Sequence, residues 1–568
     1  MSNINIKAQQ EQTYDAIVVG SGISGGWAAK ELCEKGLKTL VLERGRLVRH
    51  VEDYPTMHKD PWDLPGHGAL APEEAKEYAV QNRTNWVSQE NKHFWVKDTE
   101  HPYNETKRFD WMRGYQTGGR SLLWGRQCYR WSDLDFEANA KEGIAIDWPI
   151  RYKEIEPWYT YVEKVVGISG EKLGLPHLPD GYFLKPMELN CLEQHAREQI
   201  EKTFPGRHLT IGRVAHVTEE GFNGRGTCQF RNRCNRGCPF GAYFSSNAVT
   251  LPLAEKTGNL TLRPHSIVHS IIYDEQKGRA TGVRIIDEES KQAVEFFAKI
   301  IFLNASTVGS TSILMNSTSG RFPNGMGNDS GELGCNMMDH HYYVGAIGGY
   351  DGFEDKYYKG RRPNGIYIPR YRNLNGKKEG DFLRGYGYQG GAGRGDWGGG
   401  VNSNEHGAAF KDNLFKPTGW GMMINGFGEC LPYHENRMTL DHDKKDQWGL
   451  PTVTFDCEFK ENELNMRKHM QDDAAAMLEA AGIKNITTFD DIGAVGKGIH
   501  EMGTARMGKD PKTSVLNAHN QVHGAPNVFV TDGACMTSAS CVNPSLTYMA
   551  LTARAADYAV SELNKRNL

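Results

Sequence analysis

Residues 14–26 of the chain read YDAIVVGSGISGG. The apolar first half is typical of a buried parallel strand, and Gly20, Gly22 and Gly25 follow it at G-x-G-x-x-G spacing. In this pattern the first glycine makes a tight turn, the second lets the backbone approach a pyrophosphate, and the third lets helix and strand pack closely. The stretch therefore predicts a strand, a phosphate-binding turn and the start of a helix.

The sequence that follows completes this pattern. A helix is predicted from Trp27 to Lys35, and the next strand, TLVL at residues 39–42, ends on Glu43. A carboxylate about 20 residues after the first glycine is placed to bond ribose hydroxyls, while the helix N-terminus attracts phosphates. Strand, glycines, helix and acid in register predict a dinucleotide site. An acid at this strand end argues against NADP, whereas FAD and NAD both remain possible.

The whole chain has 568 residues, which predicts two or three domains. Its 66 basic and 70 acidic residues leave a net charge of −4, so there is no basic field for nucleic acid. No apolar run is long enough to span a bilayer. Residues 1–13 are polar, so we expect no export signal on this chain. The 11 cysteines are an odd number and mostly scattered, which disfavours a disulfide framework.

Two further small-residue turns could approach a ligand. Residues 113–125 read RGYQTGGRSLLWG, where the pair Gly118 and Gly119 permits close backbone approach, although a plain turn explains it equally well. Residues 299–309 predict a buried strand that runs into a turn at Ala305 and Ser306 and then a helix. That turn could pack against an adenine or ribose, or could be an ordinary strand–helix joint.

The middle of the chain predicts mixed structure. Residues 51–103 show little periodicity and predict a long excursion from the fold. Residues 150–205 predict mostly helix, and residues 206–217 predict a strand. Residues 270–273 and 282–287 predict the two strands of a hairpin. Residues 341–430 are rich in glycine and aromatic residues, Trp397 among them, and predict an irregular sheet. Aromatic and amide side chains suit sugar binding, but an ordinary sheet core is an equal alternative.

Three cysteines are clustered. Residues 228–239 read CQFRNRCNRGCP, a C-x5-C-x3-C-P pattern. Thiolates at such spacing usually bind metal, but structural zinc needs a fourth ligand, and the run contains none. Three thiolates with a following proline suit an iron–sulfur cluster with an open corner. The alternatives are free thiols or zinc completed by a remote ligand. The residues concerned are Cys228, Cys234 and Cys238, with His208 and His216 upstream and Arg231, Arg233 and Arg236 expected to offset their negative charge.

The C-terminal part predicts the reactive groups. Residues 500–508 read HEMGTARMG, and a predicted strand ends in Asp532 and Gly533. Residues 540–547, SCVNPSLT, then lead into a helix predicted over residues 548–563. A lone histidine is usually structural. His500 stands out because a glycine and threonine follow it and because Asn543 lies in a similar loop.

Taken in order, these motifs resemble the glucose–methanol–choline (GMC) flavoprotein oxidoreductases over nearly the whole chain. Residues 334–340, GCNMMDH, belong to the match. The resemblance implies FAD as cofactor and places His500 and Asn543 above the flavin N5, His500 as the general base and Asn543 as the group that orients the alcohol. The expected cofactor-binding residues are Gly20, Gly22, Ser24, Gly25, Glu43, Arg44, Gly118, Gly119, Ser121, Leu123, Trp124, Val268, Ala305, Ser306, Asp532, Gly533, Asn543, Pro544 and Thr547.

The implied fold is the α/β GMC fold: an FAD-binding Rossmann-like domain with a second, mixed or antiparallel-sheet substrate domain. The FAD-binding domain is expected over residues 14–150, 206–340 and 485–568, with an iron–sulfur segment at 226–242, and the substrate domain over 151–205 and 341–484. Two positions depart from the family pattern. Arg120 stands where glycine, serine or threonine is usual, and Leu123 stands where some members attach flavin to a histidine, so we expect non-covalent FAD.

The cysteine run resembles the large subunit of bacterial multi-subunit sugar dehydrogenases, which implies a 3Fe–4S cluster. Residues 114–125 look most like flavin subunits that oxidise C3 of glucosides. The resemblance implies a sugar or glycoside substrate, a cytochrome c acceptor and a small signal-bearing subunit. It also implies a periplasmic location, with a cytoplasmic one as alternative, and membrane contact only through partners. The alternative functions are a gluconate or other aldose-type dehydrogenase, an oxidase with a structural metal, and a flavin-binding protein without turnover.

Overall fold

The computed structural model describes residues 14–357, 360, 362–395, 405–415 and 418–568. The polar stretch 1–13 and Trp397, on which two sequence predictions rest, lie outside these ranges.

The strands, numbered in chain order, are β1 Tyr14–Val19, β2 Thr39–Leu42, β3 Asn104–Glu105, β4 Thr210–Ile211, β5 Leu260–Arg263, β6 Ser266–Asp274, β7 Arg279–Asp287, β8 Ala293–Leu303, β9 His340–Tyr350, β10 Ile366–Ile368, β11 Tyr386–Arg394, β12 Trp420–Glu429, β13 Arg437–Lys445, β14 Pro451–Asp456, β15 Lys484–Asp490, β16 Gln521–Val522 and β17 Ala525–Val530.

The α-helices are Ile23–Glu34, Pro72–Glu77, Ala79–Arg83, Asp133–Phe136, Ala138–Glu142, Tyr152–Val166, Cys191–Thr203, Thr250–Lys256, Thr307–Asn316, Gly407–Phe415, Glu461–Ala480 and Ser545–Asn564. No described helix is both long and apolar enough to cross a bilayer.

The first sheet contains the predicted dinucleotide strands. Its main order is β16-β17-β8-β1-β2-β5, and β1 pairs in parallel with both β2 and β8. β7 joins β8 antiparallel and carries β6 in a hairpin, as the sequence predicts. Because β1, β2, β8 and β17 run parallel, their carboxyl ends meet at one edge, where ligands of such sheets bind.

The second sheet is antiparallel, in the order β15-β9-β12-β11-β10-β4. The helices Cys191–Thr203 and Glu461–Ala480 cover one face, and Leu192, Ile424, Met470 and Tyr388 meet in the core beneath them. A small third sheet joins β13, β14 and β3. The α/β class and the second, antiparallel sheet are therefore confirmed.

Three segments cross the expected domain boundaries. The helix Tyr152–Val166, expected in the substrate domain, packs in the core of the first sheet, where its Tyr159 is fully buried. β4 and β15, expected in the FAD-binding domain, hydrogen-bond into the second sheet instead. The predicted strand at 206–217 shortens to Thr210–Ile211. Local sequence cannot predict these placements because each depends on which distant strand or helix offers a complementary surface.

Candidate active site

The glycine turn after β1 is packed as the sequence predicts. Gly20 has φ of +90°, and a Cβ placed there would lie 2.4 Å from the Asn304 carbonyl oxygen. A Cβ on Gly25 would lie 2.0 Å from the Gly20 carbonyl oxygen, whereas one on Gly22 would meet no atom within 4 Å. Gly20 and Gly25 therefore let three backbone segments meet, and Gly22 leaves open space where a ligand can approach.

Glu43 lies beside the glycine turn and is held by hydrogen bonds to it. Its carboxylate accepts hydrogen bonds from the Ser21 N–H at 3.1 Å, the Ser21 hydroxyl at 2.5 Å and the Gly45 N–H at 2.9 Å. The Ser21 oxygen also accepts from the Gly118 N–H at 2.9 Å. Burial raises the pKa of Glu43, and the hydrogen bonds oppose that shift. The acid, the glycine turn and the second glycine motif therefore form one connected cradle.

Gly118 is required by its surroundings. It has φ of +86°, and a Cβ there would lie 1.6 Å from Oδ1 of Asn247. The amide of Asn247 donates to the carbonyl oxygens of Val48 at 2.7 Å and Thr117 at 3.0 Å, so it has no room to withdraw. The plain-turn alternative for this motif therefore does not account for its packing against the first glycine turn.

A single long cavity runs from this cradle to His500 and Asn543. Fifteen of the expected site residues other than His500 line it: Gly20, Gly22, Ser24, Glu43, Arg44, Gly119, Ser121, Leu123, Trp124, Val268, Ala305, Ser306, Asp532, Gly533 and Asn543. Four lie behind its wall: Gly25 and Gly118 in the tight turns described above, Pro544 before the last helix, and Thr547, whose hydroxyl is within 2.7 Å of the Tyr159 hydroxyl.

The shape and chemistry of the cavity suit FAD. One end has a carboxylate beside a glycine turn at the N-terminus of the helix Ile23–Glu34, which matches a ribose and pyrophosphate. The cavity is also lined by an imidazole and an amide, His500 and Asn543, and by Gly119 of the second glycine motif. Ser306, which has the left-handed φ of +70°, also lines the cavity.

Replacing Glu43 by alanine is expected to weaken FAD retention. The change removes a charged acceptor for ribose hydroxyls and leaves the Ser21 and Gly45 N–H groups without their partner. The ratio of flavin to protein after dialysis measures the effect, and Glu43→Gln, which keeps the volume, should lie between alanine and wild type. Unchanged flavin content in the alanine variant would contradict the assignment of Glu43.

His500 and Asn543 present free polar atoms to the cavity. His500 Nδ1 lies 2.8 Å from His340 Nδ1, and this is the side-chain hydrogen bond that His500 makes among the described residues. The ring lines the cavity, and its Nε2 is left for a ligand. Burial, His340 and Arg120 together lower the pKa of His500 well below 6.5, so the ring is neutral near pH 7. Gln389 from β11 donates to the side-chain oxygen Oδ1 of Asn543 at 2.8 Å, which leaves the side-chain Nδ2 of Asn543 to donate to a ligand. The pair thus offers one base and one donor.

Asp339 holds the loop that carries His500. Its carboxylate accepts from the N–H groups of Gly496 at 2.8 Å, Gly498 at 2.9 Å and His500 at 3.0 Å. Burial and the neighbouring Glu501 raise the pKa of Asp339 to about 7. Three backbone bonds to one buried side chain fix the backbone of the loop beside the cavity.

Arg120, the departure from the family pattern, forms an ion pair beside His500. Its guanidinium donates to both carboxylate oxygens of Glu501, at 3.1 and 2.6 Å. It also donates to the carbonyl oxygens of Met112 and Ile499, both at 3.4 Å. Arg120 therefore connects the second glycine motif to the His500 loop.

The cysteine segment packs against the second glycine motif, several residues of which line the cavity. The 3₁₀ turn Cys234–Arg236 packs on the 3₁₀ turn Gly119–Leu122, and Tyr243 donates to the Leu122 carbonyl oxygen at 2.8 Å. Cys228, Cys234 and Cys238 are free, partly exposed thiols. Among the described residues, no three histidine, cysteine or carboxylate side chains are gathered closely enough to hold a metal ion.

The expected arginines serve mainly another purpose. Arg233 pairs with Asp60, Arg236 pairs with Glu90, and Arg231 donates to the Met57 carbonyl oxygen. All three partners belong to the excursion at residues 51–103, so these arginines link the cysteine segment to that excursion.

Arg126 is the cation that most lowers the pKa of Cys228 and of Cys234. Burial raises the pKa of Cys234, and Arg126 opposes that rise more than Arg231 does. Arg126 Nε and His216 Nδ1 are buried and have no hydrogen-bond partner among the residues that the structure describes, and His216 Nε2 lies 3.6 Å from the Cys234 sulfur.

Sequence reasoning did not include several residues at the reactive end: Arg126, Gln389, Glu501 and Tyr548, and it did not assign Asp339 or His340 a role in the site. Asp339 and His340 lie in the motif GCNMMDH, and Glu501 directly follows His500. The sequence motifs could therefore have pointed to these three residues. Gln389 lies in a glycine-rich strand, and no motif pointed to it.

Comparison with known proteins places the chain among flavoenzymes. Two family models, both described as GMC oxidoreductase, match residues 14–342 and 432–552. A 2-methyl-1,2-propanediol dehydrogenase from Mycolicibacterium austroafricanum is 28% identical, and the alignment covers 96% of this chain and 94% of that protein. A fructose dehydrogenase large subunit from Gluconobacter japonicus is 26% identical and covers 100% of both chains. A solved formate oxidase from Aspergillus oryzae has a TM-score of 0.60 at 14% identity, over 99% of this chain and 100% of its own.

Proposed function

The chain belongs to the GMC oxidoreductase family, and we propose that it is an FAD-dependent dehydrogenase that oxidises a secondary alcohol of a sugar or glycoside to a keto-sugar. The observation that carries the proposal is the pairing of a neutral His500 with Asn543 at the reactive end of the cavity. The sugar class is supported by the similarity to the fructose dehydrogenase large subunit, and C3 of glucosides is the position we favour, from the sequence of residues 114–125.

The chemistry follows from the free atoms of the site. Bound FAD supplies the acceptor for the hydride that leaves the carbinol carbon. His500 Nε2 accepts the hydroxyl proton as general base, and the Asn543 N–H donates to the same oxygen and orients it. Loss of that proton and of the hydride converts the alcohol into a carbonyl group.

The decisive experiment is anaerobic mixing of the oxidised holoenzyme with single substrates in a stopped-flow spectrometer. Methyl glucosides are expected to bleach the flavin faster than gluconate, fructose or 2-methyl-1,2-propanediol, and NMR of the product should show a ketone at C3. Oxygen should reoxidise the flavin slowly, with little peroxide. Rapid peroxide formation would favour the oxidase alternative, and no bleaching by any alcohol would contradict the proposal.

The rate of flavin reduction should keep its full value at mildly acid pH. The pKa of His500 is lowered, so its base form persists as the pH falls below 6.5, and the rate should drop only at lower pH. His340, the Arg120–Glu501 pair and Asp339 are the ionisable groups around it. Limiting rates measured from about pH 9 to about pH 5 check this. A half-loss at pH 6.5 or above would contradict the prediction. Its cause would be either an unshifted His500 or protonation of Asp339, whose pKa is raised to about 7.

We further propose that Cys228, Cys234 and Cys238 hold a 3Fe–4S cluster. The C-x5-C-x3-C-P spacing and the packing of the turn Cys234–Arg236 against the second glycine motif support it. The three thiols would have to draw together on binding, since they do not form a ligand set as they stand. A bound cluster would supply a one-electron centre between the flavin site and a cytochrome c partner.

Anaerobically purified protein is expected to contain iron and sulfide in near-equal amounts and to give an EPR signal when oxidised. Cys234→Ser should abolish the signal and slow electron transfer to cytochrome c, while substrate still bleaches the flavin. The matched control is Cys191→Ser, another partly exposed thiol, which should leave the signal intact. Zinc without iron, or no metal at all, would contradict the cluster and return the cysteines to a structural role.

We also propose a periplasmic location reached together with a small signal-bearing subunit, because folded export lets FAD and cluster insert first. Fractionation of cells that express this chain with and without such a subunit tests the idea. The chain should reach the periplasm only in the co-expressing cells. Export of this chain alone would contradict it.

A further inference from the structure

A line of hydrogen bonds runs through two histidines into the cavity. His340 Nε2 lies 2.8 Å from the carbonyl oxygen of Ser540, and His340 Nδ1 lies 2.8 Å from Nδ1 of His500. The two rings stand nearly perpendicular, at 89°, with centroids 4.9 Å apart. His340 is 1% exposed, so no solvent competes for either nitrogen.

The protons on this line can be counted. A carbonyl oxygen can only accept, so the hydrogen bond to Ser540 requires a proton on His340 Nε2. Burial lowers the pKa of His340 to about 4, so its ring is neutral near pH 7 and carries only that one proton. His340 Nδ1 is therefore an acceptor, and the proton shared with His500 must lie on His500 Nδ1.

The position of this proton determines which nitrogen of His500 can act as a base. With its single proton on Nδ1, a neutral His500 has a lone pair on Nε2. The ring lines the cavity, and its hydrogen bond to the described residues uses Nδ1 and not Nε2. We propose that His340 is a positioning residue that selects the His500 tautomer whose Nε2 can accept the alcohol proton. The proposal rests on the proposed function, in which His500 is the general base.

The backbone reinforces this arrangement. Asp339, next to His340, binds three N–H groups of the His500 loop, and Met338 pairs with Met502 across the same junction. One short segment at the start of β9 thus fixes both the backbone of the loop and the proton of its ring. The neighbouring His341 contrasts with this: both of its ring nitrogens are buried and lack a partner within the described part of the chain, and its ring packs against Phe459.

Three variants separate tautomer selection from packing. His340→Leu keeps most of the volume but removes the acceptor for His500 Nδ1. His340→Asn restores an acceptor, because the amide oxygen occupies nearly the place of Nδ1. His341→Leu is the matched control, a buried histidine one residue away on the same strand.

In anaerobic stopped flow, His340→Leu is expected to lower the limiting rate of flavin reduction by about 10- to 10³-fold, because a base in the wrong tautomer loses most of its contribution. The half-saturating sugar concentration should change by less than about threefold, since substrate binding is not the step affected. His340→Asn should recover most of the loss, and His341→Leu should reduce within about twofold of wild type.

A second readout needs no substrate. In ¹⁵N NMR of histidine-labelled oxidised holoenzyme, with His500→Gln used for assignment, His500 should show a protonated Nδ1 and an unprotonated Nε2. His340→Leu should convert these signals to those of a tautomer mixture. A proton on Nε2 in the wild type, or a wild-type reduction rate in His340→Leu, would overturn the proposal. If no alcohol reduces the wild-type flavin, the proposed function fails, while the NMR result still decides the tautomer.

Discussion

Replacing His500 by alanine is expected to slow reduction of the bound flavin by a factor of about 10²–10⁴, the usual contribution of a positioned general base. His500 is the neutral imidazole in this cavity whose second nitrogen is free to take a proton. Asn543→Ala should cost less, because Asn543 donates a hydrogen bond to the alcohol oxygen without accepting the proton. Both rates are measured by anaerobic stopped-flow bleaching at saturating sugar.

The control for this prediction is the cofactor itself. His500→Ala does not touch the Glu43 cradle, so it should bind FAD at the wild-type ratio. Equal flavin content with a much slower rate would place the loss in the chemical step. Reduction of the flavin by His500→Ala at the wild-type rate would show that another group is the base.

Glu501→Gln is expected to destabilise the protein by about 3 kcal/mol, near the lower end of the cost of breaking a buried ion pair. Glu501 has a 1% exposed side chain and binds the Arg120 guanidinium through both oxygens. The amide leaves the Arg120 charge without its partner. The Arg120 side chain is 27% exposed toward the cavity, which moderates the cost. A lower urea midpoint of the FAD-loaded protein measures the effect.

A double-mutant cycle isolates the pair. Arg120→Met combined with Glu501→Gln removes the stranded charge, so the double variant should be less destabilised than the sum of its two single variants. Flavin reduction should also slow in Glu501→Gln, because Arg120 connects the second glycine motif to the carbonyl of Ile499, next to His500. Additive losses in the cycle would show that the two side chains stabilise the protein independently.

Much of the cofactor cradle could be predicted from sequence because its parts are close along the chain. Strand, glycine turn, helix and second strand occupy residues 14–42, and Glu43 follows at once. Gly25 packs against Gly20 within that unit, Gly20 packs against the backbone of Asn304 at the end of the neighbouring strand β8, and Gly22 faces open space. The order of the later motifs then sufficed to predict the family and its two-sheet fold, which the family matches and the sheet pairing confirm.

The reactive end depends on contacts that no local pattern encodes. His340 meets His500 across 160 residues, Gln389 meets Asn543 across 154, and Arg120 meets Glu501 across 381. The same holds for the domain boundaries, where β15 joins β9 rather than the nearer strands of the first sheet.

Sequence by itself therefore determined the fold class, the nucleotide cradle and the identity of His500 and Asn543 as candidates. Only the tertiary structure decided which atom of His500 is free, which cation lies by the thiols, and which segments belong to each sheet. The physical reason is that glycine turns and strand patterns are set by short-range sterics. A hydrogen bond between side chains exists only where two distant backbones are brought to the same place.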